Sequence, residues 1–232
     1  MRFLTKIFTI KKVPSVSWSS DFPLNTKPKF NTLIMLVIGL FLFGLGEAII
    51  IGSGSGVSPW TVLAQGISSR TDLSIGMATF YISVGILIFW IPLKQTPGIG
   101  TILNAVIIAS AIDFTLPYLP HPDETPYKIL QACLGILIVG LGSGIYLSCN
   151  LGPGPRDGLM IGLQRQTNAS IPAIRTVIEL SAVISGWLLG GIVGVGTILF
   201  VFGIGPSVLS LIHISEPTRR YAISYAVFCL KK

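Results

Sequence analysis

Few side chains in this sequence are suited to chemistry, and most of those few stand in apolar surroundings. Arg156 and Asp157 are adjacent within Gly152-Pro153-Gly154-Pro155-Arg156-Asp157-Gly158. The glycines supply a flexible turn, Pro155 fits the first position of a helix, and the charged pair then falls in that helix's first turn. A carboxylate suits the positive end of a helix dipole, a contribution of about 0.3–1 kcal/mol, so Asp157 reads as a cap. The same dipole disfavours Arg156, which therefore needs a partner: Asp157, Glu179, a lipid phosphate or an anionic ligand. A positive charge that marks the cytoplasmic side is the plainer reading of Arg156. Both readings stay open at this level.

Glu47, Asp113 and Glu179 lie within or near the ends of strongly apolar stretches. A charge at the bilayer centre costs about 2.5–3.5 kcal/mol on insertion scales, so such groups turn away from lipid. Glu179 follows Arg175 by one helical turn, the spacing of an intrahelical ion pair. Glu47 and Asp113 carry two readings: solvation by water at the outer ends of their helices, or a place along a polar pathway.

Other chemistry is missing from the sequence. It holds no HExxH, P-loop, nucleophile elbow or Cys/His cluster. Its two histidines, His121 and His213, and its three cysteines fit no metal spacing. The chain is therefore expected to be no enzyme and to use no cofactor or metal. Gly140-Leu141-Gly142-Ser143-Gly144 is glycine-rich like a nucleotide loop but sits inside an apolar run. Close helix packing is its reading, as it is for Gly186, Gly190 and Gly194. Such faces also suit a homo- or hetero-oligomer.

The elements that must position these residues are membrane helices. Hydrophobic residues make up 51% of the chain and charged ones 11%, against about 25% charged in a soluble domain. Mean hydropathy is +0.77. The lipid bilayer is the expected partner, and nucleic acid is not. Spans are predicted at 32–52, 75–93, 99–117, 128–149 and 174–193, with a sixth from near 197. Residues 1–30 read as a polar cytoplasmic arm carrying Arg2, Lys6, Lys11, Lys12, Lys27 and Lys29, without the features of a cleaved signal peptide.

The chain also repeats itself. Gly56 and Gly152, Pro59 and Pro155, Gly66 and Gly162, Thr71 and Thr167, and Gly98 and Gly194 all stand 96 positions apart. This divides the membrane region into one repeat at 31–117 and a second at 128–208, each with three spans. An odd number of spans forces opposite orientations, so the expected fold is an all-α multi-pass protein with a 3+3 inverted repeat. Positive charge agrees: 53–74 would lie outside with only Arg70, and 150–174 inside with Arg156 and Arg165. In each repeat a glycine-rich turn leads to a proline, Pro59 or Pro155. Short helices are predicted there at about 59–69 and 155–166. At about 16 Å they are too short to cross. They lie either along the interface or as a re-entrant pair whose starts meet within the membrane.

The end of the chain reads differently. Leu209-Ser210-Leu211-Ile212-His213-Ile214-Ser215-Glu216-Pro217-Thr218-Arg219, and then Ile223–Lys232, match codon for codon the translation of a transposase-type sequencing adapter. Residues 209–232 are accordingly expected to be foreign, with the sixth span cut near Val208.

Three elements carry a family resemblance: Asn150-Leu151-Gly152-Pro153-Gly154-Pro155-Arg156-Asp157-Gly158-Leu159-Met160, the Arg175…Glu179 span, and Gly190-Gly191-Ile192-Val193-Gly194-Val195-Gly196-Thr197-Ile198. Together they resemble the YczE/YitT-type family of bacterial integral membrane proteins over about 32–208. Ser58-Pro59-Trp60-Thr61-Val62-Leu63 is similar to the family's Ser-Pro-Trp-Asp-Val-Leu element, with Thr61 where Asp is common. The resemblance implies a multi-pass protein of the cytoplasmic membrane and brings no substrate or catalytic residue with it. A small permease of unknown substrate and a non-transporting accessory or assembly protein are the two functions the sequence leaves.

Overall fold

The computed structural model describes residues 18–215, and every regular element among them is helical. The helices are α1 (Phe30–Ser53), α2 (Pro59–Ser68), α3 (Ile75–Trp90), α4 (Ile99–Thr115), α5 (Thr125–Ser148), α6 (Pro155–Thr167), α7 (Ile171–Leu188) and α8 (Val195–Ser215). A 3-10 turn, Leu116–Tyr118, continues α4. Among the described residues, α1, Ile99–Tyr118 and α5 are long and apolar enough to cross a membrane.

α3 and α7 are shorter than the spans expected at 75–93 and 174–193, with 16 and 18 residues. Backbone geometry sets both stops. After Trp90 the chain turns through Lys94 at φ 52°, and the Gln95 N–H returns to the Trp90 carbonyl at 3.1 Å. After Leu188 it turns at Gly190, φ 107°, and the Gly191 N–H returns to the Gly186 carbonyl at 2.8 Å. Gly190 is thus a turn residue and not part of a packing stripe, whereas Gly194, just before α8, does pack closely, against the Ser55 carbonyl. Gly186 and Gly140 do pack closely, against Val62–Leu63 and Ser207.

α1 and α5 form the centre and run antiparallel. A Cβ at Gly39 would lie 2.7 Å from the Tyr146 nitrogen, and one at Gly46 would lie 2.6 Å from the Val139 nitrogen. Small residues let the two backbones touch, which in lipid replaces the missing hydrophobic drive between helices. α4 flanks α1, and α8 flanks α5. The short helices pack across the bundle, α2 on α7 and α6 on α3.

Two loop clasps hold these layers together. The Gly196 N–H donates to the Ser55 carbonyl, and the Gly100 N–H donates to the Leu151 carbonyl, both at 2.8 Å. Each clasp adjoins a glycine at positive φ, Gly56 at 107° and Gly152 at 108°.

The arm read from the sequence as polar and cytoplasmic is docked at its end. The Ser20 N–H donates to the Cys149 carbonyl at 3.0 Å, and Asn150 Nδ2 donates to the Ser20 carbonyl at 2.8 Å. Residues 1–17 lie outside the described residues. So does the adapter-like tail from Glu216 onward, and only the helical backbone is described for 209–215.

Candidate functional site

The start of α2 is closed by a buried acid. Ser58 occupies the N-cap position, but its hydroxyl makes no side-chain cap bond. Ser58 Oγ and Thr61 Oγ1 each stand 2.9 Å from Glu47 Oε2. Glu47 is 1% exposed, and its Oε1 has no hydrogen-bond partner among the described residues. Its expected solvation at an outer helix end is thereby corrected. α1 is glycine-rich at this level, so neighbouring helices approach closely and close over the side chain.

The start of α6 is built from Gly154, Pro155, Arg156 and Asp157. Pro155 removes a donor that the first turn leaves unpaired in any case, and its carbonyl accepts from Trp90 Nε1 at 3.0 Å. Gly158 leaves the room into which the Trp90 indole fits. Asp157 sits in the first turn, as expected, and its Oδ2 accepts from the Tyr146 hydroxyl at 3.2 Å.

Arg156 joins the two starts. Its guanidinium carbon lies 5.2 Å from the centroid of the Trp60 ring, on the first turn of α2. Such a contact is worth about 0.5–2 kcal/mol, depending on desolvation. The guanidinium makes no hydrogen bond or ion pair among the described residues, and its charge acts on Glu47. Sequence reasoning missed both Trp60 and Glu47 as partners. The residue types were visible in the sequence, but the partners lie almost a hundred residues or more away, and no local spacing reports that.

Beside Arg156 lies a small, partly open cavity of about 40 Å³. Its polar lining comes from Thr79, Ser83, Asn104, Tyr146, Arg156 and Asp157. A guanidinium and an amide thus face one space with a single carboxylate, while the Thr79, Ser83 and Tyr146 hydroxyls donate to the Ile75 and Thr79 carbonyls and to Asp157.

The remaining site candidates lie away from this cavity. Arg175 Nε donates to Glu179 Oε1 at 2.7 Å, as the spacing predicted, and neither residue lines the cavity. Asp113 is neither simply solvated nor on the cavity wall. It accepts from the Gly76 N–H at 2.8 Å and from the Ser74 hydroxyl, which ties α4 to the start of α3. Cys149, beside the docked arm, is buried, and its thiol meets the Ile145 carbonyl at 3.3 Å.

Fold and site together define an all-helical membrane protein whose two short helices bring an arginine and a tryptophan together near a buried acid of α1. The chain belongs to a family of unknown function, DUF6198, whose model matches residues 30–212. It is 38% identical to an uncharacterized protein of Haemophilus influenzae over 205 residues, covering 88% of this chain and 93% of that protein. It is 32% identical over 199 residues to the uncharacterized membrane protein YczE of Bacillus subtilis, covering 85% and 88% of the two chains. It is 28% identical to YyaS of Bacillus subtilis over 168 residues, covering 71% and 84%. The resemblance to YczE read from the sequence therefore holds. No solved structure matches.

Proposed function

We propose that this protein is a small, non-enzymatic permease of the cytoplasmic membrane, in which a solute passes where the starts of α2 and α6 meet. The observation that carries this reading is the contact of Arg156 with Trp60, which brings both helix starts to one place inside the bundle. The cavity lies against the same contact.

In this reading the molecule is two halves of opposite orientation. Contacts that pair residues across the halves support it. Gly39 meets Gly142, and Gly46 meets Gly135; moving each residue of the first pair by 96 positions gives the second pair reversed. The two loop clasps correspond in the same way. A permease of this plan has a cytoplasmic N-terminus and six crossings. α3 and α7, about 24 and 27 Å long at 1.5 Å per residue, then cross where flanking residues or a thinned bilayer make up the difference.

Cysteine accessibility tests this reading. With the native cysteines replaced, a membrane-impermeant thiol reagent is expected to reach Asn104→Cys only from the cytoplasmic side. It is expected to reach Arg70→Cys only from outside and Arg165→Cys only from inside. If positions 70 and 165 react from the same side, the inverted halves fall. If Asn104→Cys is reached from neither side while a second protein copurifies in fixed ratio, the accessory reading replaces the permease.

A further inference from the structure

Three oxygen atoms at the start of α2 form a closed triangle. Ser58 Oγ stands 2.9 Å from Glu47 Oε2 and 2.8 Å from Thr61 Oγ1, and Thr61 Oγ1 stands 2.9 Å from Glu47 Oε2. Every edge has the length of an O–H···O bond, so every edge needs a hydrogen. The two hydroxyls bring two. With Glu47 ionised, one edge places two oxygens at hydrogen-bond distance with no hydrogen between them. With a proton on Oε2, the ring closes: Glu47 donates to Ser58, Ser58 donates to Thr61, and Thr61 donates to Glu47. Each oxygen then donates once and accepts once.

The surroundings agree with a neutral acid in this conformation. An ionised carboxylate buried at 1% exposure needs donors on both oxygens, and Oε1 has none among the described residues. The charge that acts on Glu47 is that of Arg156, which rests on the Trp60 ring and is not ion-paired. Other titratable groups near α1 are engaged or distant in sequence from the triangle. α2 has none. α6 brings Asp157, which accepts from Tyr146 of α5. α5 also carries Tyr127, Lys128 and Cys133 in its first half, and α4 carries Asp113, bound at the start of α3. Tyr118 lies in the 3-10 turn, the His121 ring meets the Gly52 carbonyl at 3.1 Å, and α8 brings none among its described side chains.

We infer that Glu47 is a proton-binding site whose occupancy governs Arg156, and that the solute taken at the α6 start is a small anion moved together with a proton. This rests on the permease reading above. With the proton on Oε2, Arg156 stays on Trp60 at the cavity wall and offers its guanidinium to an anion, beside the Asn104 amide. When the proton leaves to water, Oε1 carries charge without a donor. Arg156 then moves from the ring to Oε1, the cavity loses its cation, and the anion is released. One proton and one negative charge move per cycle. Asp157 stands in the same cavity and disfavours multiply charged anions.

Two measurements on the full chain in phospholipid vesicles test the proton site without any solute flux. Infrared difference spectra between alkaline and acid buffer are expected to contain a protonated-carboxyl component that is missing from Glu47→Gln, beside the signals of the other Asp and Glu side chains. Glutamine keeps an acceptor oxygen for Ser58 and Thr61, so the fold is retained. The part of the tryptophan emission that Trp60→Phe removes is expected to change with pH in the wild type, and to become pH-independent in both Glu47→Gln and Arg156→Gln. A carboxyl region left unchanged by Glu47→Gln overturns the proton site. A pH response of Trp60 that survives Glu47→Gln overturns its control of Arg156. Failure of the permease reading alone shows in the cysteine pattern and leaves the infrared component in place.

Discussion

The starts of α2 and α6 share a plan and are finished in opposite ways. Each follows a glycine at positive φ, and each begins with a proline. At α2 the acid, Glu47, stands on the adjoining long helix, and a hydroxyl, Thr61, stands on the short one. At the positions 96 further along, the long helix carries the hydroxyl, Ser143, and the short helix carries the acid, Asp157. The two chemical groups have traded places. The consequence lies in what remains free. Ser58, Thr61 and Glu47 are each 1% exposed, and the carboxyl group of Glu47 already fills that start. At α6, Ser143 turns back to the Val139 carbonyl at 2.7 Å, and Arg156 and Asp157 stay half-buried on the cavity wall. A start filled by its own chain has little left to offer a ligand, and a start that keeps a cation beside a cavity is the one that can bind.

The largest break in this comparison comes from the seat of α6. A Cβ at Gly158 would meet the Trp90 ring, and Trp90 is 2% exposed, with its indole nitrogen bound to Pro155. Neither partner has room to give. Gly158→Val is expected to cost about 3 kcal/mol by overpacking, roughly 6–12 °C in thermal unfolding of the detergent-solubilised protein. An unchanged melting temperature means that α6 is not held by Trp90, and its start is then not fixed opposite Trp60.

A smaller effect separates the filled start from the open one. Glu47→Ala leaves Ser58 and Thr61 bonded only to each other, with one buried O–H unpaired, an expected loss of about 1–3 kcal/mol. Glu47→Gln keeps an acceptor and is expected to lose less than about 1 kcal/mol on the same grounds. Asp157→Ala, at the half-buried start beside a cavity, is expected to cost less than Glu47→Ala, because water replaces the lost partner. Thermal unfolding of the three variants side by side checks the order. If Asp157→Ala is the most damaging, the distinction between filled and open starts is wrong.

The elements of this molecule were legible in the sequence because they depend on local signals. Prolines 59 and 155 begin the short helices as read, and the Arg175–Glu179 pair follows from its spacing. The stops of α3 and α7 were not legible, because hydropathy continues past Trp90 and Leu188 while the backbone turns at Lys94 and Gly190. The site was legible only in part. Arg156 stood out as a cation in need of a partner, but the partner, Trp60, is supplied by long-range packing. Glu47 was misplaced for a related reason. Its position near the end of an apolar run suggested water, whereas the glycine-rich contacts of α1 close the bundle around it.

The finest test of the comparison is the contact that joins the two starts. If Arg156 lies on Trp60 because no other partner holds it, the two side chains should be energetically coupled, and weakly. A cation over an indole at a half-buried position is worth about 0.5–1 kcal/mol. Arg156→Gln, Trp60→Phe and the double variant form a cycle that isolates this contact. Phenylalanine retains an aromatic face of weaker quadrupole, so the measured coupling is a lower bound. Each single substitution is expected to lower stability slightly, and the double variant is expected to lose less than their sum. The same cycle repeated in Glu47→Gln sharpens the result. Glutamine removes the charge that competes for Arg156, so the Arg156–Trp60 coupling should persist or grow. A coupling that vanishes in Glu47→Gln would mean that the carboxylate, and not the indole, holds Arg156 at this start.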